Sequence, residues 1–252
     1  MAHLAYEKLQ QSALTIARAL PRPSFYSEHA ELIRRAEQAL GGHNFIRTCR
    51  AYLDESQLEC AHGLCHCEAV ARDAGTIVLI EASALDLGPS DVENLFTTAI
   101  IAGLLHDIKR KEQDHAVRGS IEAEKILTKL GMGLKERQYI ADAIRNHEAF
   151  QETDDREDVA GRLVSDALYD ADKFRWGPEN FSITLWLMVT ARDTPIETLY
   201  RSFREKMKGI EKIKDTFRTD TGKRYGPEFI DQGITIGNAI YAEMSAILEQ
   251  SE

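Results

Sequence analysis

Residues 99–110 read AIIAGLLHDIKR, and the interpretation of the whole chain turns on them. An apolar run with helical spacing ends abruptly in His106-Asp107, followed by the cations Lys109, Arg110 and Lys111. Burying an imidazole beside a carboxylate at the end of a core helix costs about 1–3 kcal/mol for each group left unsatisfied. A histidine bonded to its neighbouring aspartate meets that cost in one way; a metal ion satisfies both groups at once. The pair does not stand alone. His66 lies upstream, and His115, His147 and Asp172 lie downstream, each in its own helical segment.

Working outward, Ser90-Asp-Val-Glu93 has the form of a capping box and predicts that the helix carrying His106 starts at Asp91. Upstream, 62–74 (HGLCHCEAVARDA) reads as a helix with His66, Val70 and Ala74 on one face. The apolar run TIVLIEASAL that follows has the composition of a strand, but continued helix is the preferred reading. Downstream, helices are predicted over His115–Lys129, closing at Gly131, then over Leu134–Glu148 and Val159–Phe174. Residues 153–158 between the last two are acidic and read as a solvated loop.

The flanks are helical as well. Residues 2–20 form an amphipathic helix stopped by Pro21 and Pro23, followed by Ser27–Leu40, ended by Gly41-Gly42, and a short helix over His43–Leu53. His3, His29 and His43 in these segments read as surface or packing residues. After Trp176-Gly177-Pro178 come Phe181–Ala191, a long charged helix opened by a second capping box at Thr194–Glu197 and running to about Phe217, a turn at Gly222–Gly226, and a final helix over Glu228–Leu248. Neither repeats nor a linker divide the chain, so residues 1–252 are predicted to form one all-α domain.

Composition narrows the classes of function. The chain has 252 residues, 43% hydrophobic and 29% charged, as expected of a globular protein. A formal charge of −10 argues against nucleic acid as the main partner, since a phosphate backbone calls for a basic footprint. The first twenty residues carry charges and lack a continuous apolar region, which argues against a signal peptide, and no stretch approaches the ~18 apolar residues of a membrane span. Cys49, Cys60, Cys65 and Cys67 crowd into one region, which suits free thiols or a metal better than a disulfide framework. A cytoplasmic location is expected, no membrane partner is, and a homo-oligomer is left open.

The chemistry follows from ligand type. His66, His106, Asp107 and Asp172 would make one metal site, and mixed imidazole and carboxylate ligands suit Mn, Fe, Co, Ni or Zn. His115 and His147 would hold a second ion beside the first, with Asp107 bridging the two. Water shared by such ions loses a proton near neutral pH and becomes a nucleophile.

HCEAV at 66–70, LLHDIKR at 104–110, DHAVRGSIEAEKIL at 114–127, IRNHE at 144–148 and DADKF at 170–174 resemble the HD-domain superfamily of metal-dependent phosphohydrolases. The resemblance covers about residues 60–175, with added N- and C-terminal helices outside it. It implies an all-α helical bundle and hydrolysis of a phosphate ester or anhydride of a small phosphorylated molecule, with nucleotides as the first substrate class. His115 and His147 match the subset that binds two metals. The chain departs from the frequent His-Asp-Ile-Gly-Lys, keeping the cation as Arg110 but carrying Lys109 for glycine, and it lacks the long motifs of cyclic-dinucleotide phosphodiesterases and stringent-response hydrolases. Those departures leave the substrate open.

Supporting residues have two readings each. Asp107 and Lys173 are assigned to catalysis, and Arg110, Lys173 and Arg175 to substrate phosphate. Arg110 equally complements a helix dipole, and Arg175 equally pairs with an acidic neighbour. His62 reads as surface and Glu148 as solvated, with cleft and proton-shuttle roles as the alternatives. Trp176, Phe174 and Phe181 read as core before base-stacking platform. A zinc cluster of Cys60, His62, Cys65, His66 and Cys67 lacks paired C-x2-C spacing, and a helix puts Cys65 and Cys67 on different faces. Two rival functions keep the same pocket: a mixed-valent di-iron oxygenase, and a ligand sensor without catalysis.

Overall fold

Two stretches are too apolar to lie at a surface, and they become the two central helices. A computed structural model describes residues 2–53, 63–151 and 158–250, with the side chains of 2–4 excepted. Its central pair is α5 (Leu64–Glu81) and α6 (Pro89–Leu105), following α1 (Ala2–Ala19), α2 (Ser24–Glu28), α3 (Ala30–Gly42) and α4 (Asn44–Arg50). Along α5 every residue from Val70 to Leu79 except Arg72 is buried, and along α6 every residue from Thr98 to Leu105. A helix buried on all sides needs no polar face. TIVLIEASAL is therefore helix, as preferred, continuing into a 3₁₀ turn at Ala82–Ala84.

The two helices touch backbone to backbone. A Cβ on Gly103 of α6 would lie 2.4 Å from Cα of Ala71 in α5, and one on Gly75 would lie 2.7 Å from Ile100. Around this pair stand α7 (His115–Lys129), α8 (Leu134–Arg145) and α9 (Val159–Phe174), followed by α10 (Leu185–Ala191), α11 (Ile196–Glu211) and α12 (Asp220–Glu249). The described residues include no strand, and buried side chains from α1 to α12 form one contiguous core. The expected all-α class is what the chain adopts. No described helix is long and apolar enough to cross a membrane.

Several boundaries differ from the sequence reading. Neither capping box forms: α6 starts at Pro89 and α11 at Ile196, with Gly88 and Pro195 at the caps and no side-chain cap bond. Proline at the start of α6 is preorganised for a helix, so the helix begins ahead of the serine. The helix read over Ser27–Leu40 is two helices, α2 and α3, meeting at His29. His29 packs against Phe25 and lies 3.0 Å from the Tyr225 hydroxyl, while His43 caps α4 by accepting from the Ile46 amide. The helix read to Glu148 ends at Arg145, which leaves His147 beyond it.

The largest difference is the absent turn at Gly222–Gly226; α12 runs straight through those residues and Pro227. These glycines serve close approach rather than reversal. A Cβ on Gly222 would lie 2.0 Å from the Asp170 carboxylate, and one on Gly226 would lie 2.2 Å from the Phe217 ring. Asp170 accepts from the amides of Arg218 and Thr219 and from the Thr219 hydroxyl at 2.7–2.9 Å, and Thr219 in turn caps α12. Burial raises the Asp170 carboxyl to about 7 despite those donors. Among the described glycines, Gly131 after α7 takes a left-handed backbone, with φ +75°.

Cys60, His62 and residues 153–157 lie outside the described residues, as does the side chain of His3. The backbone contact at Gly103 yields a stability prediction. Gly103→Ala should lose about 1–3 kcal/mol by forcing α5 and α6 apart, read as a lower urea midpoint with an unchanged m-value.

Candidate metal centre

Helix ends, rather than helix faces, build the site. His66 stands in the first turn of α5, His106 and Asp107 follow the last residue of α6, His115 opens α7, His147 follows α8, and Asp172 lies in the last turn of α9. Because α5 and α6 pack on each other's backbones, the start of one and the end of the other meet. His66 Nε2 lies 3.2 Å from His106 Nε2 and 3.4 Å from Asp172 Oδ1, and Asp107 Oδ2 is 3.5 Å from His106 Nε2. A second group meets on the other side of the same carboxylate. Asp107 Oδ1 lies 3.6 Å from both His115 Nε2 and His147 Nε2, which are 3.3 Å from each other.

These separations fit cations. Bonds of about 2.1 Å to a tetrahedral ion place its ligands about 3.4 Å apart. The hydrogen-bond pattern points the same way. His106 donates from Nδ1 to Gly103 O at 2.7 Å, and His147 from Nδ1 to Ile144 O at 2.6 Å. A neutral ring held so presents an Nε2 lone pair to the centre. Arg110 Nη1 donates to His115 Nε2 at 2.8 Å, since a guanidinium has only donors to offer, so that nitrogen is a lone pair as well. Two lone pairs thus face each other across 3.3 Å beside Asp107 Oδ1, a buried oxygen without a hydrogen-bond partner. Three acceptors, with the Arg110 guanidinium already donating to one of them, make a cation site. Among the described residues, two groups could hold a metal ion, His66–His106–Asp107 and Asp107–His115–His147.

Electrostatics keep the ligands in the form a metal needs. Burial alone would push the Asp107 carboxyl up, but His106 and His147, with Arg110 behind them, hold it well below the usual carboxylate range. Burial opposes Asp172 too, and Lys173, ahead of His66, holds it low. Desolvation lowers His106 to about 4 in spite of both carboxylates, and it lowers His115, with Arg110 adding to the effect. A ring that stays neutral keeps its lone pair for a metal.

The expected cations sit close by with definite partners. Lys173 is buried, donating from Nζ to Asp172 Oδ2 at 2.6 Å and to His147 O at 2.9 Å, so it ties the two metal groups together. Arg110 lies 3.7 Å from Asp107 Oδ1 and lines the cavity. Arg175 also lines the cavity, but its guanidinium engages Asp73 at 2.5 Å, the Tyr26 hydroxyl at 2.6 Å and Glu179 at 2.9 Å. Burial disfavours its charge, and Tyr26 and Asp73 more than compensate. Glu148 Oε1 is 3.7 Å from His115 Nδ1 at the cavity wall. Of the aromatics, Phe174, stacked on Phe229, and Phe181 are core, and Phe181 lines the cavity together with the half-buried Trp176. Cys49 and Cys67 are buried free thiols and Cys65 is an exposed one.

The cavity itself, about 570 Å³, was not foreseen. It opens from His66, Asp107, His147 and Asp172 toward α10 and α11, outside the region of resemblance. The signal that could have found it is the apolar stripe Leu199, Phe203, Ile210 on an otherwise charged helix, which needs something to cover it.

The clusters are of the type that the resemblance to the HD superfamily implies. No family profile and no curated protein matches the chain. A solved structure from an uncultured Thermotogales bacterium, described as a predicted HD superfamily hydrolase, is similar with a TM-score of 0.46 and 22% identity, over 78% of this chain and 89% of that one. The two clusters predict a stoichiometry. His147→Ala should lower bound metal toward one ion per chain, measured by elemental analysis, with the helical circular dichroism retained. Unchanged metal content in both this variant and His115→Ala would remove those residues from the ligand set.

Proposed function

We propose that the chain is a metal-dependent phosphohydrolase that cleaves a phosphate ester or anhydride of a small molecule. The observation that carries this reading is that buried Asp107 presents one oxygen to each of two ligand groups in the lining of one cavity, with cationic side chains beside it. His66, His106, Asp107 and Asp172 would hold one divalent ion and Asp107, His115 and His147 a second. Bound there, such ions supply Lewis acidity and lower the pKa of water to near neutrality.

The side chains divide the remaining work. Asp107 spans both groups and fixes their separation. His106 and His147, anchored through Nδ1 to backbone carbonyls, hold their rings in one orientation. Lys173 acts through Asp172, keeping that carboxylate ionised and aimed at His66. Arg110 is the cation in the cavity lining beside Asp107 that offsets phosphoryl charge. In the overall reaction a water oxygen bonds to phosphorus, the bridging P–O bond breaks, and a proton from the water goes to the departing oxygen. Glu148, a carboxylate at the wall beside His115, is placed to hold that proton in transit. Free thiols at Cys49, Cys65 and Cys67 accord with a cytoplasmic location.

Six ligands with a shared carboxylate also accord with a di-iron oxygenase, so the first assay is phosphate release across Mn-, Fe-, Co-, Ni- and Zn-loaded protein. No phosphate release with any metal, together with dioxygen consumption by the iron form, would replace hydrolysis by oxidation. Asp107→Asn tests the bridge directly. Turnover should fall by about 10²-fold or more, the scale of losing one preorganised electrostatic group, and should stay low when metal is saturating, because an amide does not balance the charge of two cations. Thermal stability should change little by comparison. Recovery of wild-type turnover at saturating metal would reduce Asp107 to a simple ligand.

A further inference from the structure

The far end of the cavity has a chemistry of its own. Polar and charged groups cluster at the metal end, whereas beyond Trp176 the walls are Phe181, Leu185, Met188, Leu199, Phe203 and Ile210. The polar side chains among them are Asn180 and Thr184, and the charged one on α11 is Lys206, which is exposed at the rim. Leu185 and Met188 are only partly buried although their neighbours Phe181, Leu199 and Phe203 are fully so. Apolar side chains left partly open around a cavity of about 570 Å³ form a surface that an apolar ligand would complete.

The backbone is arranged to make that surface. Asn180–Thr184 is a π-helical turn, in which the Leu185 amide reaches back to Asn180 O. The Trp186 indole donates to Phe181 O at 2.6 Å and fastens the turn. The wider turn puts Asn180, Phe181, Thr184, Leu185 and Met188 all on the cavity side. Phe150, in a left-handed conformation with φ +61° and 64% exposed, adds an aromatic ring to the lining.

We infer that the organic part of the substrate is an apolar alkyl or aryl group lying between α10 and α11, so that the substrate is an amphiphilic phosphate ester and not a nucleotide. This rests on the phosphohydrolase reading for the headgroup and on the apolar walls for the tail. A nucleoside would carry a sugar and a base whose many polar atoms need partners. The far walls supply two uncharged polar side chains and the exposed Lys206, and each buried polar atom left without a partner weakens binding by about tenfold. An alkyl chain has nothing to satisfy and gains with every methylene that leaves water.

The test separates binding from turnover. Calorimetric titration of the metal-loaded protein with methyl-, butyl- and octylphosphonate, which cannot be hydrolysed, should show affinity rising about threefold to fourfold per methylene. Octylphosphonate, seven methylenes longer, should then bind about two-thousandfold or more tighter than methylphosphonate, and tighter than AMP as well. Leu185→Gln and Met188→Gln, both at partly exposed positions and checked for an unchanged melting temperature, should flatten that dependence on chain length. Affinity independent of chain length, tighter binding of AMP than of octylphosphonate, or an unaltered slope in both folded variants would each overturn the inference. Chain-length-dependent binding without phosphate release from octyl phosphate would keep the apolar site and refute the hydrolase. Phosphate release from AMP without chain-length dependence would do the reverse.

Discussion

A carboxylate that is 1% exposed and has one oxygen without a hydrogen-bond donor is the constraint on which this protein is built. Asp107 sits just past the end of α6, which is buried from Thr98 to Leu105, where a lone anion is costly. Each surrounding element brings something to it: α5 a histidine, α7 and α8 two more, and the turn after α6 a guanidinium. The helix ends gather there because the two central helices approach closely enough to align their termini. Gly103 lying on Ala71 is what permits that approach. Close packing in the core and convergence at the site are thus one structural fact.

Behind the ligands lies a second layer of charge that keeps the walls in place. Asp73, fully buried in α5, is held by Arg72, Arg175 and the Tyr26 hydroxyl, and so joins α2, α5 and the residue after α9. Asp170 performs the same service for α12, two residues from Asp172. Truncating one member of such a buried pair leaves the other unpaired, which is far more damaging than the pair itself is stabilising. Arg175 therefore serves the cavity by standing still; a phosphate would have to draw it from three partners.

What could be read from the sequence, and what could not, follows from the range of each signal. His66, His106, His115, His147 and Asp172 stood out because each interrupts or terminates a helical pattern, a local feature. The all-α class followed from the same periodicities. Glycine misled at 222 and 226, since the residue marks a left-handed backbone and a close approach with the same letter, and only the neighbours 52 and 9 positions away distinguish them. Arg175 was ambiguous for a similar reason: its partner Asp73 is 102 positions distant. The cavity was invisible because α10 and α11 lie outside the signature region and their apolar stripes read equally well as ordinary core.

The π-helical turn at Asn180–Thr184 has a consequence for how such a pocket can change. One extra residue in a turn is an insertion absorbed without a loop, and each residue of helix advances the register by about 100°. Removing one residue there would let the turn close to an ordinary α-helical one, with Leu185 and Met188 keeping their register while the wide turn that presents Asn180, Phe181 and Thr184 is lost. The wall is therefore set by counting rather than by composition. A single-codon deletion could reshape the cavity wall while touching no ligand, no cation and no core position of the metal centre.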